Sequence, residues 1–199
     1  SIGNFAANIG GDPYDRDVLH IVYVTAREND DGNLEGYLII RDGGSPGRLM
    51  WEYALGEVED QEGNDLTSDF NDFQVAYGTP AISDFDDNGL MDVAVATPNG
   101  IVHFFEPDIT YDSHNEEYDE QDNGEKWSYE TDLTIVRSNP SITSFNGGND
   151  LVISGIDLDT DEINVIAIDG ANGNELWKFI EYGTEISSPA VLVDGSNRK

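Results

Sequence analysis

The sequence predicts an all-β chain built from repeated four-stranded antiparallel units, and three observations predict it. Apolar residues alternate with a period of two in short runs at 18–24, 37–40, 101–105, 151–153 and 163–168, each bounded by Gly, Asn, Asp or Pro. A proline-containing opener recurs along the chain, and a tryptophan strand follows it at a regular place. No capped stretch with a 3.6-residue period and useful length is present.

The elements follow in order. The first unit, 1–56, is degenerate at its start, from Ile2 through Asp17-Val18-Leu19, and closes on Gly47-Arg48-Leu49-Met50-Trp51-Glu52-Tyr53. The second, 75–132, opens on Thr79-Pro80-Ala81-Ile82-Ser83, passes an Asp/Asn/Gly turn into the buried strand 91–95, and closes on Gly124-Glu125-Lys126-Trp127-Ser128-Tyr129. The third, 135–183, opens on Asn139-Pro140-Ser141-Ile142-Thr143 and closes on Gly173-Asn174-Glu175-Leu176-Trp177-Lys178-Phe179. Ser188-Pro189-Ala190-Val191 begins a fourth, 184–199, so the openers stand 60 and then 49 residues apart. Four-stranded sheets that cannot bury both faces alone stack radially, so the expected architecture is a β-propeller of about three blades and the start of a fourth, part of a larger ring. Trp51, Trp127 and Trp177 are expected as core residues filling the wedge between blades, with carbohydrate stacking as the alternative. Two acidic insertions, 57–69 and 108–123, read as loops; Tyr111, His114 and Tyr118 give the second some contact chemistry.

The segment 84–92 carries the sharpest chemistry. Oxygen-bearing side chains Asp84, Asp86, Asn88 and Asp92 fall at positions 1, 3, 5 and 9 around Gly89 at position 6, and Leu90 offers a carbonyl. A hard divalent cation takes six to eight oxygens, and alternate residues of a tight loop turn inward together, so calcium is the expected ion. The EF-hand is excluded, because position 12 is Val95 where that motif needs a bidentate Glu, and the flanks read as strands rather than helices. A solvated turn is the alternative. A second, weaker calcium candidate is Asp157, Asp159 and Asp161, which lacks the glycine and the later acid; an acidic hairpin tip is the favoured reading there. The corresponding stretches 144–150 and 10–17 lack the ligand series, and no ion is expected there.

The segment 79–95 resembles the FG-GAP/VCBS repeat of integrin-α-like propellers, whose Asp-rich loop binds calcium. The segment 167–177, with Ala167, Asp169, Gly173 and Trp177 in its signature places, resembles the tryptophan repeat of pyrroloquinoline-quinone-type propellers. The first resemblance implies a non-catalytic, extracellular or cell-surface adhesion, scaffold or assembly module with a protein or glycan partner, or a homo-assembly into a filament or layer. The second implies the alternative, a quinoprotein-type dehydrogenase or another propeller enzyme. That alternative finds little support in the residues: His20, His103 and His114 are scattered, and no nucleophile–base–acid spacing is present.

Composition sets the outer bounds. The 199 residues are 38% hydrophobic, enough for a real core, and contain no cysteine, which removes disulfides and thiolate chemistry. No apolar run is long enough to cross a membrane as a helix, so direct membrane insertion is not expected. The chain starts at Ser1 and stops just after a strand-like segment, and is expected to be a piece of something longer. Against 41 Asp and Glu stand only 9 Lys and Arg, a formal charge of −32. That balance argues against nucleic acid or an anionic membrane as partner and fits a halophilic source, where molar salt screens the repulsion.

Overall fold

The computed structural model describes residues 2–3, 20–28, 30, 34–43, 47–57, 78–86, 88–107, 109–112, 117–120, 124–133, 135–136, 139–145, 147–157, 159–183 and 187–191. Among them every regular element is a strand. The first sheet is β1 (Ile2–Gly3), β2 (His20–Glu28), β3 (Leu34–Arg41) and β4 (Leu49–Glu57), paired in that order. The second has β5 (Ala81–Ser83), β6 (Asp92–Ala96) and β7 (Ile101–Phe105), and its outer strand is β10 (Glu125–Glu130). Between the last two, β8 (Ile109–Asp112) and β9 (Glu117–Glu120) form a hairpin beside β4, so the acidic insertion expected as a loop is strand in part. Its ladder pairs Tyr111 with Tyr118, both of a β-favouring type, beside Thr110↔Asp119, and the acidic composition of the segment obscures this. The third sheet has β13 (Asp150–Asp157) at its centre, with β11 (Ile135–Val136) and β12 (Ser141–Thr143) on one edge. On the other edge come β14 (Glu162–Asp169) and β15 (Glu175–Tyr182). All pairings are antiparallel. The insertion 57–69 lies outside the described residues beyond Glu57, as does His114.

The three sheets repeat one another in register as well as in order. In each, the tryptophan strand follows a glycine in the left-handed region, Gly47, Gly124 and Gly173, at φ 73°, 72° and 73°. Only glycine adopts that conformation without strain, and the turn it makes aims the following strand back along its neighbour. A bulge then falls one residue before each tryptophan: Leu49 pairs with Arg41 and Trp51 with Ile40; Glu125 with Phe105 and Trp127 with Phe104; Glu175 with Ile168 and Trp177 with Ala167.

Period-two alternation gives each sheet two faces, and the middle sheet buries both. Val93, Val95 and Phe105 join Val22, Leu38, Ile40, Met50 and Trp51 of the first sheet in one cluster. Ala94, Ala96, Val102 and Phe104 join Leu151, Ile153, Ile166 and Ile168 of the third in another, with Trp127 and Tyr129 packed against it. This explains why all five residues of β6 are buried and why alanines alternate with valines: the strand has no solvent face. Trp51 and Trp127 thus each lie on a forward face that packs on the back of the next sheet. Trp51 is 1% exposed and Trp127 half-buried against Phe104, with parallel rings 4.8 Å apart. The expectation of a buried Trp177 is corrected. It is 39% exposed, touching Phe145 edge-on, because among the described residues no fourth sheet covers its face.

Candidate metal centre

The loop 84–92 joins β5 to β6, and its first job is local. Asp92, the first residue of β6, is fully buried and accepts the Phe85 amide through Oδ2 at 2.8 Å, which seats Phe85 in the core against Phe104. Asp84 accepts the Asn88 amide at 3.0 Å and the Gly89 amide at 2.8 Å, closing the turn from inside, and Gly89 takes φ 91°. The loop backbone therefore winds around its own carboxylates, as a chain must if alternate side chains are to converge.

Converge they do. Carboxylate oxygens of Asp84, Asp86 and Asp92 lie within 4.8 Å of one another, and this is the one such acidic group among the described residues. The other two expected ligands stand beside it. Asn88 donates its side-chain amide to Asp86 at 3.1 Å and accepts the Leu90 amide at 2.7 Å, so its oxygen is engaged within the loop. Asp92 Oδ1 is buried with no hydrogen-bond partner. Burial pushes the Asp92 carboxyl up to about 7, and the charges of Asp86, Glu106 and Asp84 add to this while the Phe85 amide opposes it. Desolvated, crowded by like charge and half-satisfied, this carboxylate is stabilised most by a cation.

An open cavity of about 260 Å³ borders the loop, lined by Asn88, Leu90, Met91, Asp92, Glu106 and Lys126 among others. Lys126 is held by Glu106 at 3.0 Å. The second candidate trio does not form such a group. Asp157 uses its carboxylate on the Asp159 amide and the Thr160 hydroxyl, at 2.9 and 2.8 Å, and Asp161 takes φ 56° at the tip of the β13–β14 hairpin. Register places Asp150 in the third sheet and His20 in the first where Asp92 stands in the second, opposite Thr143, Gly3 and Ser83 respectively.

One repeated contact escaped the sequence reading. Tyr53 of the first sheet donates to Glu125 of the second at 2.7 Å, and Tyr129 of the second donates to Glu175 of the third at 2.5 Å. Burial first, then the glutamate, pushes Tyr53 up to about 12 and Tyr129 up as well. The signal was present at fixed offsets, a tyrosine two residues after one tryptophan and a glutamate two before the next.

No known protein-family model matches the chain, and no curated protein does either.

Proposed function

We propose that this chain is a calcium-stabilised, non-catalytic portion of a β-propeller of the FG-GAP/VCBS type, serving as an adhesion, scaffold or assembly module at a cell surface or outside the cell. The convergence of Asp84, Asp86 and Asp92 on a buried, unpartnered oxygen carries the reading. Asn88 and the Leu90 carbonyl complete the oxygen set, which suits a hard cation and offers nothing to a soft one. The forward-on-back stacking of three like sheets supports the radial arrangement. Calcium outside the cell, at millimolar level, keeps even a weak site of this kind filled. The formal charge of −32 supports a saline setting, in which a protein or glycan partner is met through neutral or basic groups rather than through anions.

The test is thermal unfolding across a calcium series, at about 0.1 M and about 2 M potassium chloride. A specific site at 100 times its Kd stabilises by about 2.7 kcal/mol. That increment is expected at both salt levels and is expected to vanish in Asp86→Ala. Screening of all the carboxylates raises the unfolding temperature separately, with calcium saturating. A calcium response equal in Asp86→Ala sinks the site, and a flat salt response sinks the halophilic setting alone.

A further inference from the structure

The loop 84–92 supplies fewer oxygens than a calcium ion takes. Asp84, Asp86, Asn88, Asp92 and the Leu90 carbonyl offer five donors where the ion takes six to eight, so about one to three positions fall to oxygens from outside. Chelation by both oxygens of one carboxylate is disfavoured at two of the aspartates, because each of those oxygens already accepts a hydrogen bond. Asp84 holds the Asn88 and Gly89 amides on its two oxygens, and Asp86 holds the backbone amide of Asn88 on one and its side-chain amide on the other.

The cavity beside the loop is where such oxygens enter. Asn88, Leu90 and Asp92, three of the five donor residues, line it, and fully buried Asp92 brings the unpartnered Oδ1 to it. The remaining walls are of two kinds. Glu106 and Lys126, both partly exposed, are joined at 3.0 Å, so they present an acceptor and donors whose charges are already matched. Met91 and Pro107 add an apolar surface. At about 260 Å³ and open to solvent, the space is smaller than the roughly 300–1,000 Å³ of a drug-sized site and suits one ring of a longer chain.

Charge selects the class of that ring. The three aspartates carry one negative charge more than a calcium ion cancels, Lys126 is matched by Glu106, and the whole chain stands at −32. A carboxylate or phosphate arriving there is repelled, whereas a hydroxyl is neutral, is a hard oxygen ligand, and both donates and accepts. We propose that the cavity binds a neutral pyranose sugar, two adjacent hydroxyls of which complete the coordination of the calcium ion. The inference rests on the calcium reading of the loop and names the partner of that same site. Glu106 accepts from a further hydroxyl, Lys126 donates to one, and the C–H face of the ring rests on Met91 and Pro107.

The experiment is amide NMR of the chain with calcium saturating, titrated to about 50 mM with the methyl glycosides of mannose, galactose and fucose, because a single ring on a single ion binds in the millimolar range. These three present adjacent hydroxyls in different arrangements. At least one is expected to shift the amides of 88–92, 106 and 126, and the shifts are expected to vanish in chelator and in Asp86→Ala. Lys126→Met is expected to weaken the sugar at least about fivefold. It leaves calcium affinity undiminished, since removing a cation from the wall cannot weaken the attraction for another. Calorimetric calcium titration of the same samples separates the two readings: calcium bound with no shift from any of the three glycosides overturns this proposal alone, and no calcium bound overturns the site and the proposal together. Shifts that persist in chelator, or that centre on the exposed Trp177 indole, place the sugar elsewhere and overturn it as well. So does tighter binding of galacturonate than of the neutral galactoside.

Discussion

Two loops of this molecule start from one plan and diverge: 84–92 in the second sheet and 144–150 in the third. In both, an aspartate at the start of the central strand accepts the amide of a phenylalanine, Asp92 from Phe85 at 2.8 Å and Asp150 from Phe145 at 2.6 Å. Both also contain a glycine in the left-handed region, Gly89 at φ 91° and Gly147 at φ 103°. They differ in the oxygens in front of that aspartate. The longer loop brings Asp84 and Asp86 up to Asp92, while the shorter one has Ser144 and Asn146 at the corresponding places. The closing aspartate is therefore part of the fold, and the acidic cluster in front of it is an addition. A residue of the motif can serve the fold, the ion, or both, and substitution separates these roles.

The largest effect is expected at Asp92, and it changes sign with the ion. Asparagine at 92 still accepts the Phe85 amide but cannot ionise. In chelator, the folded protein holds a proton on Asp92 up to about pH 7, well above the ordinary 3.8. The wild-type contribution is thus fully present below about pH 4 and lost as pH rises toward 7, by the linkage between proton binding and folding. Asp92→Asn lacks that loss and is expected to be the more stable protein at pH 8 without metal, by about 1–3 kcal/mol on the scale of an uncompensated buried polar group. With calcium at about 1,000 times Kd the order reverses, since the variant forgoes the roughly 4.1 kcal/mol that the ion supplies there. Asp150→Ala is expected to lose stability equally with and without calcium. Matching pH profiles for wild type and Asp92→Asn in chelator would refute the separation of roles.

Much of this was legible in the residues, for physical reasons that also mark the boundary. The order of the strands followed from period-two runs between turn residues, because a pleated strand with a buried face must alternate. The convergence of Asp84, Asp86 and Asp92 followed from their odd-numbered spacing around Gly89. Two things were not legible. The β8–β9 hairpin was hidden because its residues are acidic, and its pairing is set by position beside β4 rather than by an apolar stripe of its own. The exposure of Trp177 was hidden because its local sequence matches Trp127, and burial depends on whether another sheet lies in front of it. The tyrosine–glutamate bonds span 72 and 46 residues, so only a comparison between units exposes them.

The two glycines make a narrower comparison. A Cβ at Gly89 or at Gly147 meets nothing within 4 Å, so substitution by alanine adds no clash and leaves only the left-handed backbone, worth about 1–2 kcal/mol. Equal losses are expected for Gly89→Ala and Gly147→Ala in chelator. Calcium then separates them: Gly89→Ala loosens the turn whose amide holds Asp84 and weakens calcium binding, whereas Gly147→Ala leaves binding unchanged. Calorimetric titration of both variants reads this directly, and a weaker affinity in Gly147→Ala would mean that the two loops are coupled through more than their shared plan.

The smallest expected effect tests that coupling at a link that the described residues show. Asn149, in the third-sheet loop, donates its side-chain amide to the Asp84 carbonyl at 2.6 Å and to the Ser83 hydroxyl at 2.9 Å, across the interface between the sheets. The 144–150 loop thus braces the first residue of the 84–92 loop from behind. Asn149→Ala removes both bonds in a half-buried place open to water, so the expected loss of stability is about 0.5–1.5 kcal/mol, the ordinary net worth of a hydrogen bond. The side chain of Asp84 stays tied by the Asn88 and Gly89 amides, so calcium affinity is expected to fall by no more than about threefold, within 0.7 kcal/mol. A loss of binding as large as that of Asp86→Ala would show that the third sheet positions the site, and the ligand loop would then belong to the interface and not to the second sheet alone.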